Sequence, residues 1–142
     1  MLNDEHIHLS YEIASEDFAR AGDAASDVKR VLKQMNVKPD IVRKVAIALY
    51  EGEINMVIHS LGGKIDVYIM PDEILMKLED TGPGIEDIER AMEEGYSTAT
   101  ESIRNMGFGA GMGLPNMKRY VDELDIRSGL GQGTKVTMRV VL

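Results

Sequence analysis

The segment Asp80–Ile85, with the sequence D-T-G-P-G-I, constrains this chain more than any other feature. It directly follows the apolar run Ile74–Leu78. A carboxylate at a strand end can bind one polar group of a ligand, and the glycines after it let backbone come close to that ligand. A second glycine cluster, Gly107–Leu114, lies downstream, and ten of the fourteen glycines fall between Gly82 and Gly133. The C-terminal half is therefore predicted to hold a ligand site built largely from backbone.

Length and composition limit the class of protein. The 142 residues are 44% apolar and 28% charged, which is typical of one soluble globular domain, and we expect a single domain over residues 1–142. The net charge of −8 argues against a general nucleic-acid binder, which needs a basic surface. ATP binding stays compatible with this charge because Mg²⁺ and backbone N–H groups can carry the phosphate contacts.

Several site types are excluded by what the sequence lacks. The chain has no cysteine, so it has no disulfide framework, thiolate nucleophile or zinc–thiolate site. It has no apolar run near the roughly 18 residues of a membrane span. Met1–Ser10 contains Asp4 and Glu5 and lacks the basic and apolar regions of a secretory signal. We therefore expect a cytoplasmic protein.

Alternation of apolar and polar residues predicts five strands, at His6–Ile13, Lys64–Met70, Glu73–Glu79, Leu124–Ser128 and Thr134–Val140. Spacings of three and four, together with start and stop signals, predict helices over Ser15–Met35, Pro39 to about Ser60, Ile85–Glu94 and Leu114–Glu123. Gly95–Gly111 has no steady period and is expected to be a functional or mobile loop. The fold class is therefore α+β. We expect a two-layer sandwich with a mixed or mostly antiparallel sheet and helices on one face.

Glu51, Asn55 and His59 are spaced four residues apart on the second predicted helix. Each step of four moves only about 40° around a helix axis, so the three side chains line one face. An amide oxygen from Asn55 suits Mg²⁺, which takes oxygen ligands, and Glu51 beside it can accept a proton. Glu53 lies nearly opposite Glu51 and is a poor substitute. A solvated polar stripe is the alternative interpretation, and His59 is more simply a packed or surface histidine.

These motifs together resemble a known family. The helical Glu51…Asn55…His59, the segment Asp80–Ile85, the run Gly109–Leu114 and the closing Gly131–Thr134 look like the N, G1 and G2 boxes and the Gly-x-Gly-Thr of the GHKL, or Bergerat-fold, ATPases. That superfamily includes gyrase B, heat-shock chaperone ATPases and histidine kinases. Within it the chain looks most like the bacterial anti-sigma factor and serine-protein kinase family. Its Glu94–Thr98 and Gly113–Arg119 segments are similar to the partner-switching serine kinase branch.

The resemblance implies an ATP site with Mg²⁺. Asp80 would accept a hydrogen bond from the adenine amino group, directly and through water with Thr134. Asn55 would bind Mg²⁺, and Glu51 would be the general base. The other residues that the family pattern places at the nucleotide are Gly82, Gly84, Ile85, Gly109, Gly111, Met112, Gly113 and Leu114. Gly95–Gly111 would be the ATP lid.

Each implied role has a simpler alternative. Asp80 alone would suit capping of the turn that follows it. The glycine run Gly107–Gly113 alone would suit a hinge, and Thr134 an ordinary strand position. Arg104 in the predicted lid would suit either a γ-phosphate contact or solvent.

Two features depart from the family pattern. Gly52 lies inside the helix of Glu51 and Asn55, where glycine costs about 0.5–1 kcal/mol relative to alanine, so we expect it to allow close packing against a partner or the sheet. The lid segment Ala99–Asn105 is longer and more polar than the serine kinase branch leads us to expect, which bears on lid closure. The chain shows neither a dimerisation domain with a phosphoacceptor histidine nor a transducer domain, which disfavours sensor-kinase and gyrase-like functions.

Three functional hypotheses follow from the resemblance. The first is a Mg-ATP-dependent serine kinase that phosphorylates a small STAS-domain antagonist protein in a partner-switching pathway. The second is a binding module that uses ATP as a structural ligand or switch while it sequesters a sigma factor or other regulator. The third is a degenerate domain that binds no ATP, which the intact Glu51, Asn55 and Asp80 disfavour. A homodimer is compatible with all three, and direct nucleic-acid or membrane binding is not expected.

Overall fold

The computed structural model describes residues 7–14, 18–59, 62–81, 113–129 and 133–142. Within these ranges the chain forms five strands, three α-helices and a single turn of 3₁₀-helix over Phe18–Arg20. In chain order the elements are β1 Ile7–Ile13, α1 Asp23–Gln34, α2 Pro39–His59, β2 Gly63–Ile69, β3 Glu73–Asp80, α3 Gly113–Tyr120, β4 Glu123–Gly129 and β5 Gly133–Val141. None of the helices in these ranges is long and apolar enough to cross a membrane.

The five strands form one sheet in the order β1-β2-β3-β5-β4. All four pairings are antiparallel, and the predicted α+β class is confirmed. The short link between β2 and β3 makes a hairpin, in which the N–H of Met70 donates to the carbonyl of Glu73 (2.9 Å). Strands β3 and β5 lie side by side at the centre, with Asp80 opposite Thr134. This register brings together two residues that the sequence separates widely.

One face of the sheet carries the core, as the alternation predicts. The inward side chains of the three central strands are Ile65, Val67, Ile69, Ile74, Met76, Leu78, Val136, Met138 and Val140, and all are buried. They pack with Val28 and Leu32 of α1 and with Val45, Ala48 and Leu49 of α2. The opposite face is polar, with His8 stacked on Tyr68 and Arg139 paired with Glu73 and Glu123. The result is the expected two layers.

Gly52 lets α2 lie directly on the sheet. A Cβ atom at this position would stand 2.4 Å from Cδ2 of Leu78 and 3.3 Å from the sulfur of Met117. Real Cβ atoms do not come that close to a neighbour, so any other residue here would require Leu78 or α2 to move. Of the two expected reasons for Gly52, packing against the sheet is confirmed.

The start of α1 differs from the prediction. The periodic pattern predicts a helix from Ser15, whereas α1 begins at Asp23, after Gly22 in a left-handed conformation (φ 97°). The carboxylate of Glu53 on α2 accepts the backbone N–H groups of Gly22, Ala24 and Ala25 at 3.0, 3.2 and 3.0 Å. Glu53 is 1% exposed, so a residue from another helix fixes where α1 starts.

The boundary between α3 and β4 also differs. The sequence predicts a helix to Glu123, but α3 ends at Tyr120 and β4 begins at Glu123. The N–H of Asp122 donates to the carbonyl of Arg139 (2.9 Å), and the Asp122 carboxylate accepts the N–H of Val141 (2.7 Å). These two bonds to β5 draw the chain into the sheet earlier than the helical pattern indicates.

Candidate functional site

Asp80 and Thr134 form a polar pair where β3 ends and β5 begins. The backbone N–H of Thr134 donates to Oδ1 of Asp80 at 3.0 Å. Among the described residues, no second partner occupies Oδ2 of Asp80. Burial raises the pKa of Asp80 above its usual range, and the hydrogen bond from Thr134 partly opposes that rise. The pair therefore presents a partly desolvated carboxylate whose orientation is fixed by backbone.

The hydroxyl of Thr134 adds a second acceptor. Its Oγ1 lies 2.9 Å from Oγ of Ser128, and Ser128 donates to the carbonyl of Gly133 at 3.0 Å. When Ser128 uses its proton on Gly133, its oxygen accepts the proton of Thr134. That leaves lone pairs on Thr134 Oγ1 for an incoming donor. Two neighbouring acceptors suit a ligand that carries an N–H group.

Gly133 allows the two strands to meet this closely. Its φ is +77°, and a Cβ there would stand 2.2 Å from the backbone oxygen of Asp80, a contact that no side chain can make. On the other side of β3, the N–H of Thr81 donates to the carbonyl of Gly62 (3.0 Å). The end of β3 is therefore held from both neighbouring strands, which keeps Asp80 in place.

Glu51 and Asn55 lie on the second half of α2, which crosses the end of β3. Gly52 between them contacts Leu78, two residues before Asp80. Farther along α2, the methyl of Met56 stands 2.8 Å from where a Cβ of Gly63 would be, and Gly63 pairs with Asp80. Both Glu51 and Asn55 are half-buried. The structure thus places the predicted base and metal ligand on the helix that covers the Asp80 strand.

Helix α3 reaches Glu51 from its first turn. The side-chain amide of Asn116 donates to Oε1 of Glu51 at 3.4 Å, and Arg119 donates to the amide oxygen of Asn116 at 3.5 Å. Because α3 begins at Gly113, the predicted base is linked to the helix that follows the glycine cluster. Spacing along one helix cannot predict this contact, because Glu51 and Asn116 lie on different helices.

The structure describes some of the remaining predicted site residues and leaves others outside its described ranges. Gly113 and Leu114 form the first turn of α3, and Thr134 is nearly buried at 9% exposure. Gly82, Gly84, Ile85, Gly109, Gly111, Met112, Arg104, the predicted helix Ile85–Glu94 and the lid Gly95–Gly111 lie outside the described residues. The described part of the site is formed by α2, β3, α3 and β5, and the assigned roles stay predictions.

The described residues of this site offer few protein ligands to a metal ion. Within the described ranges no group of three or more histidine or acidic side chains could hold a metal ion. Asn55 offers a single amide oxygen, half-buried and beside Glu51 in the helical repeat. Mg²⁺ commonly takes one or two protein oxygens and completes its shell with phosphates and water.

Comparison with known proteins assigns the family. Residues 40–142 match the sequence profile of the histidine kinase-, DNA gyrase B- and HSP90-like ATPases. The chain belongs to this ATPase family. The ATPase domain implies nucleotide binding, and the Asp80–Thr134 pair lies within the matched range.

Individual relatives of the ATPase domain narrow the family further. This chain is 33% identical over 129 residues to an anti-sigma F factor of Caldanaerobacter subterraneus subsp. tengcongensis, and the match covers 87% of this chain and 83% of that protein. It is 30% identical over 112 residues to the serine/threonine-protein kinase RsbT of Bacillus subtilis, covering 76% and 78%. The ATPase domain therefore falls in the bacterial anti-sigma factor and serine-protein kinase family.

Solved structures agree on the fold. The RsbU and RsbW domains of Rv1364c from Mycobacterium tuberculosis match with a TM-score of 0.59 at 16% identity, over 93% of this chain and 31% of that longer one. The mycobacterial sensor histidine kinase MprB matches with a TM-score of 0.53 at 19% identity, over 95% and 97%. At these identities the likeness concerns the fold alone, and it confirms the ATPase architecture expected from the motifs.

Proposed function

We propose that this protein binds Mg-ATP and that Asp80 and Thr134 select the adenine base. The observation that carries the proposal is the pair of acceptors at the β3–β5 junction, Oδ2 of Asp80 and Oγ1 of Thr134. Adenine presents an amino donor at its six-position, whereas guanine presents an oxygen acceptor there. A site with two acceptors therefore favours ATP and repels GTP.

The other end of the nucleotide would lie near α2 and α3. Asn55 would supply one oxygen to Mg²⁺, which neutralises phosphate charge when bound. The first backbone N–H groups of α3, from Gly113 onward, lack helical partners and favour an anion. Glu51, held by Asn116, would accept the proton of an attacking hydroxyl. These positions favour transfer by orientation and charge stabilisation, which dominate phosphoryl transfer generally.

The proposed reaction is phosphorylation of a serine on a small STAS-domain antagonist protein. The serine oxygen would form a bond to the γ-phosphorus, ADP would leave, and the serine proton would go to Glu51. Support comes from the 30% identity to the kinase RsbT and from the position of Glu51 on the helix above Asp80. The protein would in this way control its own association with the antagonist and act as an anti-sigma regulator.

Incubation with γ-labelled ATP and candidate STAS-domain proteins tests transfer directly. We expect label on a serine of one candidate, and we expect Glu51→Gln to abolish it while nucleotide binding stays normal. Asn116→Ala should slow transfer less than Glu51→Gln does, because it frees the base without removing it. Normal transfer by Glu51→Gln would show that Glu51 is not the base.

A second function is favoured by a different observation. Anti-sigma F factors of several species share about 30% identity with this chain. The second proposed function is therefore sequestration of a sigma factor, with ATP as a bound switch. In that case a purified sigma factor would bind in an ATP-dependent manner, with no label on any partner. Binding assays with and without ATP, run beside the transfer assay, separate the two functions.

Nucleotide binding itself is tested by thermal unfolding. A ligand at 100 times its dissociation constant adds about 2.7 kcal/mol to stability, so Mg-ATP should raise the melting temperature clearly. GTP at the same concentration should give a much smaller rise. Asp80→Asn should lose the ATP response while staying folded, since its amide oxygen can still accept the N–H of Thr134. An unchanged melting temperature with Mg-ATP would contradict the proposal.

A further inference from the structure

A groove lies between the end of α1 and the first half of α2, away from the nucleotide residues. Its volume is about 660 Å³. The lining on α2 ends at Ile47, four residues before Glu51 and eight before Asn55. At 1.5 Å per residue, the middle of the groove at Arg43 lies about 12–18 Å along the axis from these two side chains. The groove is therefore a separate surface that the ATPase site does not use.

The turn that closes the groove is well fixed. Asn36 has a left-handed conformation (φ 60°), and its N–H donates to Lys33 while that of Val37 donates to Leu32, each at 3.1 Å. This pair of hydrogen bonds is a Schellman motif, which ends helices in a defined geometry. It fixes the position of Val37, which lines the groove, without need of a ligand.

The floor of the groove is apolar. Val37, Val42 and Ile47 line it, and Val42 is at the same time part of the hydrophobic core. Val37 and Ile47 remain partly open to solvent. A volume of this size admits several aliphatic side chains, whose removal from water favours binding.

The rim of the groove is basic in a chain that is otherwise acidic. Lys29, Lys33 and Arg43 line it, and all three are exposed. Residues 29–44 contain six basic residues and one acidic residue, Asp40, a local charge of +5 in a chain of net charge −8. Among the described residues, none of the three rim cations has an ionic partner. The positive charge is therefore available to a ligand.

We infer that this groove binds an acidic amphipathic segment of a partner protein, with apolar side chains on the floor and carboxylates at the rim. The inference goes beyond nucleotide binding and transfer. Charge complementarity supplies steering and register, and an amphipathic helix laid into an apolar groove is a common mode of peptide recognition. The fixed turn at Asn36 reduces the ordering cost of binding.

A protein segment fits these features better than a nucleic acid. A nucleic acid is a long polyanion and would extend past the rim. Outside residues 29–44 the chain carries ten basic and twenty-three acidic residues. Those charges repel a long phosphate backbone over the Debye length of roughly 10 Å. The charged backbone of a nucleic acid also gains little from contact with the apolar floor, whereas a short acidic helix can contact both the rim and the floor.

The test uses the purified full chain without nucleotide and a fluorescent synthetic peptide of about five helical turns. The peptide carries leucines along one face and glutamates elsewhere. We expect saturable binding by anisotropy, weakened by salt, with NMR shifts of the Val37 and Ile47 methyl groups. A scrambled peptide of equal composition should bind at least about tenfold more weakly, which corresponds to 1.4 kcal/mol.

Two charge reversals provide a matched comparison. Arg43→Glu changes a rim residue, and Lys38→Glu changes an exposed cation of the same region that does not line the groove. We expect Arg43→Glu to weaken peptide binding at least about tenfold and Lys38→Glu less than about threefold. Both variants are checked by thermal unfolding, and Lys33→Glu replaces Arg43→Glu if the latter fails to fold.

Four results would overturn the inference. They are no saturable binding at millimolar peptide, equal binding of the scrambled peptide, equal effects of the two reversals, and tighter binding of a DNA duplex than of the peptide at physiological salt. The first two would remove the amphipathic ligand. The third would show that peptide binding depends on overall charge and not on the rim of the groove. The fourth would assign the groove to nucleic acid.

Discussion

Replacement of Glu53 by glutamine tests how α1 is attached to α2. Oε2 of Glu53 accepts the N–H groups of Gly22 and Ala24, and Oε1 accepts that of Ala25. Glutamine keeps one oxygen, which at the Oε2 position still accepts Gly22 and Ala24, while its NH₂ group faces the N–H of Ala25. One bond is therefore lost, and the two that remain are no longer made to a charged acceptor. A hydrogen bond contributes about 1.5–3 kcal/mol when its acceptor is charged and about 0.5–1.5 kcal/mol when it is neutral. The side chain is 1% exposed, so one lost bond and two weakened bonds give an expected loss of about 3–5 kcal/mol.

Urea unfolding followed by far-UV circular dichroism measures this loss. With a slope of about 1–3 kcal/mol per molar urea, the midpoint should fall by about 2 M. Hydrogen exchange should also speed up at the amides of Gly22, Ala24 and Ala25. Glu51→Gln is the matched control, because it makes the same chemical change two residues earlier on a half-buried side chain. If the two variants lose equal stability, the attachment of α1 does not depend on the Glu53 carboxylate.

Three further predictions concern other contacts. Because burial raises the pKa of Asp80, ionisation of Asp80 lowers the stability of the folded chain as pH rises through that pKa. Without nucleotide at neutral pH, Asp80→Asn should therefore unfold at an equal or higher temperature than wild type. The ATP affinity of the wild type, measured by calorimetry, should fall in mild acid. Gly52→Ala forces a Cβ against Leu78 and should cost about 1–3 kcal/mol in urea unfolding, whereas no loss would mean that α2 can shift. The Tyr11 hydroxyl donates to Asp27 at 2.6 Å and lowers the pKa of Asp27. Because solvent screens the partly exposed Asp27 carboxylate, Tyr11→Phe should cost only about 0.5–1.5 kcal/mol at neutral pH. This cost should vanish as acid protonates Asp27, and a pH-independent cost would contradict the role of the carboxylate.

The strands and α2 could be predicted from the sequence because their signals are local. Alternation marks β2, β3 and β5 within one residue of their observed bounds, and Pro39 marks the start of α2. The start of α1 and the end of α3 could not be predicted in the same way. Each is fixed by a side chain or strand distant in sequence, Glu53 in one case and β5 in the other.

The candidate site was predictable in its parts but not in its connections. The spacing of Glu51 and Asn55 gave a shared helical face, and the family resemblance paired Asp80 with Thr134 in one site. The antiparallel register places these two residues opposite each other. The contact of Asn116 with Glu51 depends on tertiary packing, for which a single sequence carries no signal. Ser128 and Thr134 instead face each other across the local pairing of β4 with β5.

The position of β5 in the sheet has a consequence for synthesis of the chain. The β2–β3 hairpin joins strands only a few residues apart, so it can form early, whereas β3 and β5 must close a loop of more than fifty residues. A nascent chain has no Asp80–Thr134 pair until residue 134 has been added and β5 has docked. Val136, Met138 and Val140 enter the core in that same step. If ATP binds through this pair as proposed, it should bind only molecules in which β5 has docked and should stabilise no earlier intermediate.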